Sequence, residues 1–152
     1  MKVYVAGASS EMELCAQWIR KVRECGHEII LDWVEVIRKA GSANPRDASI
    51  EQLQEWAKPD FDASRNCEIF WLLIPETNSI GCWVELGIAL DSVSRSTLYP
   101  GVVIGPHIII SGDWKRTIFS ALADELFYTH EQAFQSVFRE RHISHDGGTL
   151  CR

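Results

Sequence analysis

One carboxylate stands out in this chain. Glu85 lies in GCWVELGIAL, one turn into a segment whose neighbours Val84, Leu86, Ile88 and Ala89 suit a packed helix. A carboxylate drawn among such residues must be paired, hydrogen-bonded or protonated, because taking its charge out of water is costly. The ordinary alternative is a helix Glu that faces solvent. Tyr4, in KVYVAG, could offer Glu85 a hydrogen bond, and Asp60 and Asp62 precede the apolar run CEIFWLLIP. Small polar turns add further candidates: Gly7, Ser9 and Ser10 after the first apolar run, and Ser79 to Gly81 just before Glu85. Backbone N–H groups and hydroxyls in such turns can hold a phosphate. Trp33 could stack on a base or simply pack. Trp83 is read equally as pocket lining or as an interface residue.

These residues need elements to position them. Lys2 to Gly7 reads as a buried strand, and Ser9 or Ser10 as the cap of a helix carrying Leu14, Cys15, Trp18, Ile19 and Val22. Glu11 and Glu13 favour the positive end of that helix, and Gly26 ends it. Glu28 to Trp33 reads as a second strand, which makes a βαβ unit and predicts a parallel sheet. A short helix is expected over 34–39, a loop over 41–47, and a helix from Ser49 that Pro59 interrupts or restarts. Cys67 to Pro75 is the most apolar strand and is expected at the centre. A helix over 82–93 follows, then strands over 98–104 and 107–110. A helical piece near Ile118, an edge strand over 126–128 and a helix over 131–141 complete the pattern. The expected fold is α/β: a single doubly wound, flavodoxin- or Rossmann-like domain over 1–141 with a mostly parallel five-stranded sheet, followed by a tail over 142–152.

Composition narrows the function. With 152 residues, 46% hydrophobic and 24% charged, the chain is an ordinary globular domain. A net charge of −6 argues against polymeric nucleic acid as a ligand. The longest apolar run, 69–75, is too short to span a membrane, and a cytoplasmic location is expected. The five cysteines are scattered without CxxC spacing and read as reduced core residues. His142 and His145 have HxxH spacing but no third ligand, so no metal site is expected, and His107 reads as structural.

The segments VYVAG, DFDASRNCEIFWLLIP and SIGCWVELGIAL resemble the nucleoside 2-deoxyribosyltransferase family, including its branch of 2′-deoxynucleoside 5′-monophosphate N-glycosidases. The resemblance covers roughly residues 2 to 111. It implies that Glu85 is the nucleophile that attacks the anomeric carbon and that Tyr4 holds and tunes its carboxylate. It also implies that Asp60 contacts the base and helps protonate it, with Glu68 in the second acidic place. Ser79 stands where the monophosphate branch has a Ser that helps to bind the 5′-phosphate. Gly7, Ser9 and Ser10 would complete that cradle, although the turn AGASSE lacks the Arg of that branch.

The implied partner is a small nucleoside or nucleotide, with a homodimer as the assembly and no cofactor. The chemistry is that of a retaining glycosidase: an ionised Glu85 meets an oxocarbenium-like centre while a protonated or hydrogen-bonding Asp60 serves the leaving base. The pattern S-x-x-C-W-x-x-E-L also resembles TIR domains, whose NAD-cleaving members place a catalytic Glu on the same helix. A non-catalytic nucleotide-binding module is the third reading.

Overall fold

The computed structural model describes residues 1–41, 48–96 and 105–139. Five parallel strands lie in the order β2-β1-β3-β4-β5, namely β1 Lys2–Ala6, β2 Glu28–Ile29, β3 Ile69–Leu73, β4 His107–Ser111 and β5 Glu125–Phe127. β3 is buried throughout, which fits its unbroken apolar sequence and its place between β1 and β4. Strand order reverses between β1 and β3, the position where open α/β sheets form their ligand crevice. The fold is therefore doubly wound and Rossmann-like, as expected. The expected strand over 98–104 and the tail over 142–152 lie outside the described residues, as does most of the 41–47 loop.

Helices cover both faces of the sheet. α1 (Met12–Glu24) and α5 (His130–Phe134, continuing as a π turn over Gln135–Arg139) share one face. There Trp18 packs edge-on against Trp71 at 5.5 Å and tilts against Phe134 at 5.6 Å. α3 (Ile50–Asn66) and α4 (Gly81–Ser96) pack together on the other. Side chains alternate along a strand, so Trp71 serves the first face while Tyr4 and Phe70, with rings 6.0 Å apart, serve the second.

Two elements depart from the sequence reading. β2 is two residues long rather than six, because the Asp32 side chain accepts the Glu35 N–H at 3.1 Å and starts α2 (Trp33–Ala40). α3 runs unbroken through Pro59. Pro59 removes the N–H that would serve the Glu55 carbonyl, but both residues are exposed, so water can serve that carbonyl instead. Ser49 starts α3 with a capping box shared with Gln52. Among the described residues, no helix is long and apolar enough to cross a membrane.

Candidate active site

Three elements bring Tyr4, Asp60 and Glu85 together. Tyr4 stands at the middle of β1 and is wholly buried on the face covered by α3 and α4. Its hydroxyl donates to Asp60 Oδ1 at 3.3 Å, across 56 residues of chain. The half-buried Asp60 reaches Tyr4 from the C-terminal half of α3, and Ser64 anchors the helix there by donating to the Asp60 carbonyl at 2.8 Å. Glu85 comes from the second turn of α4, whose Cys82, Leu86 and Ala89 face the core. Its Oε2 is buried and has no hydrogen-bond partner. A buried carboxylate oxygen without a protein partner calls for an explanation, which a proton, a water or a ligand group can each supply.

The electrostatics follow from this crowding. Burial, reinforced by the like charge of Asp60, pushes the Glu85 carboxyl up to about 8, with the Tyr4 hydroxyl pulling the other way. Burial also raises Asp60, again opposed by Tyr4. Tyr4 itself is held well above the ordinary phenol value by burial and by both carboxylates, so it remains a hydrogen-bond donor. Two carboxyls sharing one phenol retain a proton near neutral pH. The stronger upward push falls on Glu85, which was expected to be ionised, while Asp60 is hydrogen-bonded to Tyr4.

The remaining candidates are dispersed. Asp62 lies two residues from Asp60 and so on the opposite side of α3, where it pairs with Lys58 at 2.5 Å; it does not join the site. Trp33 is buried in the first turn of α2 rather than at a strand end, and its indole N–H donates to the Val5 carbonyl at 2.8 Å. Glu68 accepts the Lys2 N–H at the opposite, N-terminal end of the sheet. Ser79 is half-buried in the loop before α4, its carbonyl 3.6 Å from Cys82 Sγ, and Gly81 is the exposed first residue of that helix.

Gly7 follows β1, and a Cβ there would meet Cys15 Sγ at 2.5 Å, so the turn needs glycine for space. Ser9 and Ser10 are exposed in the 3-10 turn Ser9–Glu11, which leads into α1. Trp83 is partly buried against the core. His107 bridges to the edge strand, with Nε2 2.6 Å from Glu125 Oε1. His142 and His145 lie outside the described residues. Among the described residues, no group of three or more His, Cys, Asp or Glu could hold a metal ion.

Two clefts lie beyond this triad. One, of about 890 Å³, opens at the carboxyl ends of β3 and β4 and is lined by Glu11, Thr77, Asp113, Arg116, Tyr128 and His130, among others. The other, of about 570 Å³, borders β5 and α5. Neither is lined by Tyr4, Asp60 or Glu85. The sequence reading missed Thr77 and His130 altogether. It saw Glu11 only as a helix-end charge, because nothing local in the sequence tells that Thr77 will face it.

Comparisons with protein-family models, with curated proteins and with solved structures find no match to this chain.

Proposed function

We propose that this chain is an enzyme that cleaves, or transfers at, the N-glycosidic bond of a 2′-deoxynucleoside or its 5′-monophosphate, with Glu85 as nucleophile. The observation that carries the reading is the buried, unpartnered Oε2 of Glu85 beside the Tyr4–Asp60 hydrogen bond. A carboxylate in such a place gains most when positive charge grows opposite it, because the low-dielectric surroundings strengthen that attraction.

The steps balance on the one proton that the pair retains. The Tyr4 hydroxyl interacts with both carboxyls and donates to Asp60, so a concerted shift through it would move the proton from Glu85 to Asp60. Asp60 then protonates the base as the C1′–N bond breaks, and Glu85 Oε2, now ionised, bonds to C1′. Water or a second base resolves the ester and regenerates the pair.

Incubation with 2′-deoxynucleosides, their 5′-monophosphates and NAD, followed by chromatography for released base, tests the proposal. Release from a deoxynucleoside or deoxynucleotide that Glu85→Gln abolishes is the expected result. Release from NAD alone would favour the TIR-like alternative. Stabilisation by ligand without any release would favour the binding module.

A further inference from the structure

Three side chains from three elements tie α5 to the sheet. The Trp71 indole N–H, on β3, donates to Ser111 Oγ at 2.8 Å. Ser111 Oγ, at the end of β4, lies 2.8 Å from Nδ1 of His130, the first residue of α5. Trp71 and Ser111 are wholly buried, and His130 is half-buried. Donor and acceptor capacity fixes the direction of this relay. An indole only donates, so Ser111 accepts from Trp71. The Ser111 hydroxyl has one proton and, among the described residues, no other partner, so it donates to His130 Nδ1. The imidazole is therefore neutral and carries its own proton on Nε2.

A second proton has no place there. It would sit on Nδ1 and face the Ser111 proton. Ser111 could turn to accept from both rings only by leaving its own proton buried without an acceptor, which is costly. Burial acts in the same sense and lowers His130 from its ordinary 6.5, against the charge of Glu11 in the 3-10 turn Ser9–Glu11. Trp18 of α1 meets the imidazole edge-on at 6.1 Å, and Lys21 of the same helix is paired with Glu131 at 3.1 Å. Glu76, Asp113 and Arg116 line the same cleft as His130 from exposed positions, where water screens them.

α5 is short and depends on how its first turn is fixed. Its Ala133 and Phe134 are buried, and the Ala133 N–H reaches back to the Thr129 carbonyl at 3.3 Å. Tyr128 and Thr129, which lead into it, line both clefts. We propose that His130 is an acid-sensitive latch: its neutral imidazole completes the Trp71–Ser111–His130 relay and holds the first turn of α5 against β4, and its protonation releases that turn and the wall shared by the two clefts. The latch goes beyond the N-glycosidic reading and does not depend on it. A released imidazole takes up its proton near pH 6.5, and the docked one only below that. The latch is therefore fully closed above about pH 6.5 and loosens as pH falls through that value.

Nitrogen-15 NMR of the imidazole and amide hydrogen exchange, both on the full chain, test this. The wild type is expected to show the neutral Nε2–H tautomer at pH 7.5. Exchange at the Ala133 and Phe134 amides, taken relative to the β3 amides and corrected for intrinsic rates, is expected to rise about tenfold between pH 7.5 and pH 5. His130→Asn sets an amide oxygen where Nδ1 stands and does not titrate, so it is expected to hold that ratio flat. Ser111→Ala removes the proton that bars the site and is expected to raise the His130 pKa by about one unit. An Nδ1–H tautomer, or a flat exchange ratio in the wild type, overturns the latch. So does a ratio that rises equally in His130→Asn, or a His130 pKa that Ser111→Ala leaves unmoved. The wild-type tautomer and exchange ratio decide the matter even where a variant does not fold.

Discussion

Replacing Glu85 by Gln separates two consequences of one buried carboxyl. The substitution is isosteric and removes the ionisable group. A rise from the ordinary 4.5 to about 8 means that the folded chain holds this proton far more tightly than the unfolded chain does. The stabilising protonated form is fully present below about pH 4.5, and its contribution is lost as pH rises through about 8. At about 1.4 kcal/mol for each tenfold change in proton affinity, the full loss is on the order of 5 kcal/mol. Roughly half of it, about 2–3 kcal/mol, falls between pH 6 and pH 9. Glu85→Gln carries no such loss.

Thermal unfolding of both proteins across that range should therefore show curves that diverge. The variant is expected to gain about 5–10 °C on the wild type by pH 9, at about 2–4 °C per kcal/mol for a domain of this size. Base release by the variant should fall at least about a thousandfold at every pH. Parallel Tm curves would refute the reasoning, because they would mean that Glu85 ionises as freely as an exposed Glu.

Other perturbations follow from the same geometry. Tyr4→Phe removes the donor that lowers both carboxyls, so the alkaline limb of the rate profile should move above its wild-type position near pH 8, with kcat falling about 10- to 100-fold; an unmoved limb would take Tyr4 out of the proton path. Asp60→Asn should cost about 10²- to 10⁴-fold with ordinary bases but little with an N7-methylated purine deoxynucleoside, whose base leaves without needing a proton; equal losses with both would remove Asp60 from acid catalysis. Gly7→Ala should destabilise the fold by about 1–3 kcal/mol in chemical denaturation, since its Cβ would meet Cys15 Sγ at 2.5 Å, and Cys15→Ala should restore most of it. Failure of that rescue would place the strain elsewhere.

The fold was largely legible because its signals are local. The continuous apolar run at 69–73, the alternation of strand and helix, and the cap at Ser49 act within a few residues. Where the reading slipped, solvent exposure or a competing local cap decided. Pro59 sits on an exposed face that tolerates the missing hydrogen bond, and Asp32 began a helix instead of extending a strand. The triad was legible in part, since an acid in an apolar helix and a Tyr in a buried strand are visible as anomalies. The separation of Asp60 from Asp62 follows from helical spacing and was equally readable. The relay of Trp71, Ser111 and His130 was not, because 40 residues separate Trp71 from Ser111 and neither carries a local signature.

The central claim is that Glu85 bonds to C1′, and mass spectrometry of trapped enzyme addresses it directly. A 2′-fluoro-arabino nucleoside slows both formation and breakdown of a glycosyl ester, because fluorine destabilises the oxocarbenium-like transition states. After incubation with such a nucleoside, digestion should yield the peptide containing Glu85 with one added fluoropentosyl group, and Glu85→Gln should yield none. Base release that proceeds without any adduct, and equally well in Glu85→Gln, would contradict the account.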